Sequence, residues 1–88
     1  MKIEFDPGKA QSNQRKHGIS FDEAKTCLLD PRALVREDPD AEGEARFVLI
    51  GFSHRARLLT VVYALPDEET IRLISARLST PKEAQYYA

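Results

Sequence analysis

The chain of 88 residues is nearly neutral, with 13 Lys and Arg side chains against 14 Asp and Glu side chains and a formal net charge of -1. A chain this short buries only about 60 to 65% of the surface of its unfolded state, which excludes a second catalytic domain and predicts one domain over residues 1–88. No apolar run approaches the ~18 residues that cross a membrane, and no apolar segment of a signal peptide follows Met1. We therefore expect a cytoplasmic protein with no membrane contact.

The residues that usually bind metals are too sparse to predict a metal or cofactor site. Cys27 is the one cysteine, and the two histidines are far apart in the sequence. No spacing of Cys, His and carboxylate residues matches a metal-ligand pattern. Cys27 falls on the apolar side of a predicted helix, where a small buried hydrophobe is a better interpretation than a nucleophile. We expect no metal and no cofactor, and a lone thiol fits a reducing compartment.

A short strand over residues 2–5 and a first helix are predicted at the N-terminus. Asp6 can accept from the free N–H groups of a helix start, and Pro7 suits the first helical position. His17-Gly18 ends this helix, because glycine readily takes the left-handed conformation of a helix end. The predicted helix therefore runs from Pro7 to His17.

A second helix is predicted directly after the first. Ser20 is a helix cap, Glu23 stands at capping-box spacing from it, and apolar residues at helical spacing indicate a helix over about 21–29. The two helices form a short hairpin with Lys16 and His17 at its corner.

The second half of the chain predicts an antiparallel sheet and a short final helix. Segments rich in Val, Ile, Leu and aromatic residues are separated by loops short enough to demand hairpins. These segments are residues 44–52, 57–64 and 70–78, preceded by a brief strand over 32–37 and a polar turn over 38–43. Thr80, Pro81 and Glu83 form another helix start. We thus expect an α+β fold in which the N-terminal helical hairpin packs on a curved, mainly antiparallel β-sheet, with a short C-terminal helix.

The predicted register brings basic side chains together on one face of the sheet. If Phe52 pairs with Arg57 and Leu65 with Thr70, three side chains align across the strands. These are Arg46, Tyr63 and Arg72. Guanidinium groups beside an aromatic ring suit single-stranded RNA, because Arg binds phosphate bidentately and a base can stack on Tyr. The alternative is that these arginines lie at the edge of the core and pair with acids such as Glu44.

Both faces of the predicted sheet are substantially apolar. Helices on one side cannot cover both faces. This pattern indicates either a strongly curved sheet or a partner element on the second face.

Four segments of the chain are similar, in their order, to those of a known family. They are FDPGKAQSNQRKHGISFDEA, GEARFVLIG, RLLTVVY and IRLISAR, followed by a short helix that contains proline. In this order they resemble the BrnT family of ribonuclease toxins, the toxin halves of type II toxin–antitoxin pairs. KHGISFDEA and IRLISAR are individually quite specific, and the resemblance covers essentially the whole chain.

The resemblance implies a RelE-like fold and metal-independent RNA cleavage that arrests translation. It also implies inhibition by a BrnA-type antitoxin with a ribbon-helix-helix domain, so that operator DNA is reached only through the antitoxin. The chain departs from the family pattern at two places. Phe5 stands where Trp is frequent, and Leu78-Ser79 follow Arg77 where a basic residue and Ala are common.

Cleavage by the ribose 2′-hydroxyl needs a base, an acid, and cations that stabilise charge on the phosphate. At the matching positions, the resemblance implies a catalytic set of Lys16, His17, Glu44, Arg57 and Arg77, with Arg46 as a further contact to RNA. Histidine ordinarily titrates near pH 6.5, so His17 suits the acid or the base, and the choice of His17 or Glu44 as base stays open. We expect the helical corner to deliver Lys16 and His17 to a phosphate held by Arg57 and Arg77.

Two other classes of function remain open from the sequence. One alternative is a catalytically weak or inactive module that binds the antitoxin as a co-repressor. A general RNA-binding domain that does not cleave its ligand is the second alternative.

Overall fold

A five-stranded sheet and three α-helices form the computed structural model, which describes residues 1–87. The elements are β1 (Lys2–Glu4), α1 (Pro7–His17), α2 (Phe21–Thr26), a 3-10 turn (Cys27–Leu29), β2 (Leu34–Glu37), β3 (Ala45–Phe52), β4 (Leu58–Asp67), β5 (Thr70–Leu78) and α3 (Pro81–Tyr86). The predicted α+β fold, with its helical hairpin and short C-terminal helix, is confirmed. Within the described part, the helices lack the length and apolar character needed to cross a membrane.

The strands follow the order β1-β5-β4-β3-β2 across the sheet. β1 pairs with β5 in parallel, and every other neighbouring pair is antiparallel, so the mainly antiparallel sheet is also confirmed. The β4–β5 ladder contains two register irregularities, which increase the local twist of the strands. β2 and β1 lie at the two outer edges.

Capping side chains define the N-terminal helical hairpin. The Asp6 carboxylate accepts from Gly8 N at 3.0 Å at the start of α1, and Gly18 ends this helix in the left-handed conformation, with φ 71°. Ser20 Oγ accepts from Glu23 N at 3.0 Å to begin α2. The turn between the helices is therefore set by local sequence, as predicted.

The core lies between α2 and one face of the sheet. Its fully buried large side chains are Ile19, Phe21, Cys27, Leu59, Val61 and Leu73. Burial of each large apolar side chain contributes about 1.5 to 3 kcal/mol, which makes this contact the main stabilising interface. The Cys27 thiol is buried among these residues, and desolvation raises its pKa to about 12, so it is a small core hydrophobe.

The β3–β4 hairpin differs by one residue from the predicted register. Phe52 pairs with Leu58 rather than with Arg57. The loop is longer than predicted because Ser53 N donates to Arg57 O at 2.9 Å and Ala56 adopts a positive φ of 59°. A slip of one residue sends every side chain of β4 to the opposite face of the sheet.

Tyr63 consequently lies in the core and not beside the arginines. Its ring stacks on Phe47 with centroids 5.5 Å apart, and it is 8% exposed. Arg46 pairs with Ala64, which pairs in turn with Arg72. The predicted row of Arg46, Tyr63 and Arg72 is therefore wrong, because a methyl group separates the two guanidinium groups where an aromatic ring was expected.

A bulge in β5 decides the direction of Arg77. Leu73 pairs with Tyr63 and Ser75 with Val62, so Ile74 is an extra residue in the ladder. The bulge reverses the alternation of side chains beyond it. Arg77, which pairs with Thr60, therefore shares a sheet face with Arg46 and Arg72. We call this face, which lies opposite α2, the arginine face.

Helix α3 covers one end of the arginine face. Thr80 begins it with a complete capping box. Tyr87, just after the helix, donates to an Asp30 carboxylate oxygen at 2.6 Å, and its ring meets Phe52 edge to face at 5.2 Å. This small helix therefore persists through its contacts with the rest of the chain.

Candidate active site

Arg77 occupies the end of the arginine face under α3. Its two terminal nitrogens donate to the two carboxylate oxygens of Glu83, at 2.7 and 2.8 Å, in a bidentate ion pair. Thr60 also donates to Glu83 at 3.1 Å. The Arg77 side chain remains 40% exposed, so further N–H groups of its guanidinium can reach an anionic ligand.

Arg72 and Glu44 meet at the opposite end of the arginine face. Arg72 donates to Glu44 and to Glu4, each at 2.9 Å, and both contacts are solvent-accessible. Arg46 lies nearby and pairs loosely with Asp38 at 3.8 Å. The alternative that sheet arginines pair with acids such as Glu44 is thus confirmed for Arg72. Within residues 1–87, no cluster of three His, Cys, Asp or Glu side chains could hold a metal ion.

The length of β5 separates these two ends of the face. Because of the bulge, the β4 partners of Arg72 and Arg77 are only four residues apart, which corresponds to about 13 Å along the sheet. Glu44, which contacts Arg72, therefore lies too far from Arg77 for both to act on one phosphate group. This spacing argues against Glu44 as a partner of Arg77.

Lys16 and His17 lie exposed at the end of α1, beside the bulge of β5. They border a shallow pocket of ≈ 210 Å³ together with Ile74 and Ser75. Ser75 is two residues from Arg77 in the sequence. The corner therefore lies against the edge of β5 beyond the short strand β1, next to the arginine face.

Asn13 holds this corner in place through three hydrogen bonds. Its amide nitrogen donates to Ile19 O at 3.0 Å and to Ala76 O at 2.8 Å. Its amide oxygen accepts from Ala76 N at 3.0 Å. A single buried side chain thus joins α1, the turn before α2 and the edge of β5 at Ala76.

Arg57 belongs to a different centre, on the α2 side of the sheet. It donates through Nε to Glu23 Oε2 at 2.9 Å and through Nη2 to Glu23 Oε1. Ser53 Oγ donates to Glu23 Oε2 at 2.7 Å, and Arg55 approaches the same carboxylate at 4.0 Å. Glu23 is 3% exposed, so this is a nearly buried carboxylate surrounded by donors.

The expected meeting of His17 with both Arg57 and Arg77 does not match this geometry. β-Strand side chains alternate, so Leu59 faces α2 while Thr60, the cross-strand neighbour of Arg77, faces α3. Arg57 is bound by Glu23 of α2, and Arg77 by Glu83 of α3. The two guanidinium groups are therefore on opposite faces of the sheet.

Glu23 and Glu83 are the functional side chains that sequence reasoning missed, because both were interpreted only as capping residues. Glu83 does complete its capping box, whereas the side chain of Glu23 turns to Arg57 and Ser53. One signal for Glu23 was available. Glu23 lies four residues before Cys27, and residues at this spacing share a helix face. Packing of Cys27 against the sheet therefore also turns Glu23 toward the sheet.

Acid is expected to destabilise the protein through Glu23 and Glu83. Hydrogen bonds from Arg57 and Arg77, respectively, lower the two pKa values from 4.5 to about 2. The folded state then binds fewer protons than the unfolded state, so this stabilisation is complete above about pH 5 and is lost as the pH falls toward 2. Urea titrations between pH 7 and pH 3 should show a falling midpoint.

The variant Glu23→Gln provides the control for this pH dependence. The variant should be less stable than the wild type at pH 7. Its free energy of unfolding should fall less between pH 7 and pH 3, because one of the two titrating groups is absent. An equally steep fall in the variant and the wild type would contradict the assignment.

The fold and these sites define a small α+β protein with arginines spread along one sheet face, as suits a polyanionic ligand. A family model described as "Ribonuclease toxin, BrnT, of type II toxin-antitoxin system" matches residues 5–83. The chain therefore belongs to the BrnT family of ribonuclease toxins, and the predicted resemblance is confirmed. Membership makes it an endoribonuclease with an RNA substrate and an antitoxin partner.

A solved structure supports the same assignment. The chain is similar to the crystal structure of the Brucella abortus ribonuclease toxin BrnT, with a TM-score of 0.70 and 27% sequence identity. The similarity covers 91% of this chain and 97% of that chain. A search of curated protein sequences finds no match.

Proposed function

We propose that residues 1–88 form a single toxin domain that cleaves RNA without a metal ion on the arginine face, in the cytoplasm, and so arrests translation. A BrnA-type antitoxin with a ribbon-helix-helix domain neutralises it and links it to operator DNA. The family match over residues 5–83 carries the proposal. The partial exposure of Arg77, two residues after Ser75 in a pocket that His17 also lines, supports the choice of site.

In this proposal the RNA backbone follows β5 along the arginine face. Arg46 and Arg72 bind phosphates at one end, and Glu44 orients Arg72 through its 2.9 Å contact. Arg77 binds the scissile phosphate at the other end, with Lys16 as a second cation from the edge of β5. Tyr63 and Arg57 support the fold from the α2 side, because the core and Glu23 already engage them.

The chemistry follows from the groups that surround Arg77. The ribose 2′-hydroxyl attacks the adjacent phosphorus while a base removes its proton, and the 5′-oxygen leaves with a proton from an acid. Glu83 is a poor base near neutral pH because its pKa is about 2. His17 is therefore proposed as the base that takes the 2′-hydroxyl proton and, once protonated, as the acid that supplies it to the leaving 5′-oxygen, while Arg77 stabilises the charge that develops on the phosphate.

Replacement of Arg77 by alanine tests this proposal. With single-stranded RNA and a chelator present, the wild type should produce cleavage fragments, and Arg77→Ala should lower kcat by about 100-fold or more. Expression of the wild type without the antitoxin should arrest growth, whereas expression of Arg77→Ala should leave growth unaffected. The control is Arg55→Ala, which removes an arginine that is 63% exposed on the α2 side.

The same assay distinguishes the candidate bases. His17→Ala should lower kcat, whereas Glu44→Ala should mainly raise KM, because Glu44 acts on RNA binding through Arg72. A wild-type chain that leaves RNA intact and growth unaffected would instead favour the co-repressor module. Salt-dependent RNA affinity without fragments would favour the RNA-binding domain.

A further inference from the structure

An apolar groove of ≈ 510 Å³ crosses the arginine face between β2, β3 and α3. Its floor and rim include Leu34, Val48, Ile50, Tyr86, Arg36 and Lys82. Leu34 is 41% exposed and Tyr86 is 63% exposed, so large apolar side chains remain in contact with water. Contiguous apolar surface of this kind commonly marks an interaction site.

The groove adjoins the uncovered edge of the sheet. β2 is the last strand in the sheet order, pairs only with β3 within residues 1–87, and has four exposed residues. At the other side of the sheet, Asn13 covers the edge of β5 by bonding both backbone groups of Ala76. The outward N–H and C=O groups of β2 thus provide a template for an added strand.

The charges around the groove are arranged with basic side chains beside it and acidic side chains at the end of β2. Arg36 and Lys82 are exposed, and neither forms an ion pair within residues 1–87. The chain becomes acidic at the last residue of β2, Glu37, and stays so at Asp38 and Asp40. A ligand on this surface therefore needs carboxylates over the groove and basic groups beyond the end of β2.

We propose that an extended segment of the antitoxin adds as a strand to the free edge of β2. Its alternate apolar side chains enter the groove, its carboxylates face Arg36 and Lys82, and its basic end faces the acidic stretch that begins at Glu37. A second copy of this chain fits less well. Two-fold antiparallel pairing centred on Arg36 sets the two Arg36 guanidinium groups opposite each other, and pairing centred on Val35 sets Arg36 opposite Leu34, a charge against an apolar wall.

Only the inhibitory effect of this docking, the blocking of RNA cleavage, rests on the proposed function. Glu83 lines the groove and binds Arg77, so a segment seated there covers the proposed position of the scissile phosphate. Antitoxin and RNA then exclude one another sterically. Binding of the antitoxin itself is independent of whether Arg77 acts in cleavage.

Charge reversal on the rim tests the docking surface. The probe is the antitoxin encoded beside the gene of this chain, titrated against full-length toxin. The double variant Arg36→Glu/Lys82→Glu should raise the dissociation constant at least about tenfold. Arg15→Glu/Lys25→Glu, with the same change in net charge on α1 and α2, should bind like the wild type. Thermal melting of both variants checks that they fold.

Amide exchange provides a second measurement on the unmodified protein. The backbone amides of Val35 and Glu37, which point away from β3, should gain protection in the complex because the added strand accepts from them. Equal affinity of the two double variants, or no gain of protection, would overturn the proposal. A dimer of the toxin alone that Arg36→Glu dissociates would assign the groove to a second copy instead.

The outcomes separate this inference from the proposed function. Loss of antitoxin binding in the rim variant, with no cleavage of RNA by the wild type, would support the docking surface and refute the toxin site. Cleavage that depends on Arg77, with antitoxin binding unaffected by the rim, would do the reverse.

Discussion

Replacement of Glu23 by alanine is expected to lower the free energy of unfolding by about 2 to 4 kcal/mol. The nearly buried carboxylate binds Arg57 and Ser53, and its removal leaves both donors without a partner. Arg57 is 32% exposed and can recover some hydration, which is why the expected loss is below that of a fully buried pair. Urea denaturation at pH 7 measures the loss.

Two variants make the Glu23 result specific. Glu23→Gln should fall between the wild type and the alanine variant, because the amide keeps the volume and one acceptor. Asp22→Asn removes an exposed carboxylate from the same helical turn and should change stability by no more than about 0.5 kcal/mol. A loss under about 1 kcal/mol in Glu23→Ala would show that this centre contributes little.

Replacement of Asn13 by alanine is expected to cost about 3 kcal/mol and to detach α1 from β5. The substitution leaves Ala76 N, Ala76 O and Ile19 O without this partner, and each unsatisfied buried polar group costs about 1 to 3 kcal/mol. Water can reach the edge of β5 in the variant and bond some of these groups, so the total cost stays below the sum of the three separate costs. Hydrogen exchange should accelerate in α1 before it does in β4.

Gln14→Ala is the matched control for Asn13. Gln14 is the exposed neighbour on the same helix, and its side chain makes none of these contacts. Its exchange pattern should match the wild type. Uniform acceleration of exchange in α1 and β4 of Asn13→Ala would indicate a general loss of stability rather than release of the corner.

Separate ion pairs arrange the proposed toxin site. Glu83 holds Arg77 and Glu44 holds Arg72, while Glu23 holds Arg57 on the far side of the sheet. Arg72 and Arg77 are thus oriented before RNA arrives, which lowers the entropy lost on binding. The proposed antitoxin groove shares Glu83 with the proposed catalytic Arg77, so the two proposals place inhibition next to cleavage.

Local sequence determined the helices and most of the strands of this protein. Asp6-Pro7, Ser20 and Thr80-Pro81 act through hydrogen bonds to backbone groups within the same helical turn, so their effect needs no tertiary contact. Apolar periodicity similarly predicted the strands, and the ordered segments from FDPGK to ISAR identified the family before any geometry was known.

The register of the sheet, and with it the site, was decided only by tertiary structure. One extra loop residue before Leu58 sent Tyr63 into the core, and the bulge at Ile74 brought Arg77 to the arginine face. Such steps change the pairing by one residue, and many side chains of β4 and β5 are apolar on both faces, so the pattern cannot fix the register. The destination of Glu23 was likewise set by Arg57, 34 residues away in the sequence.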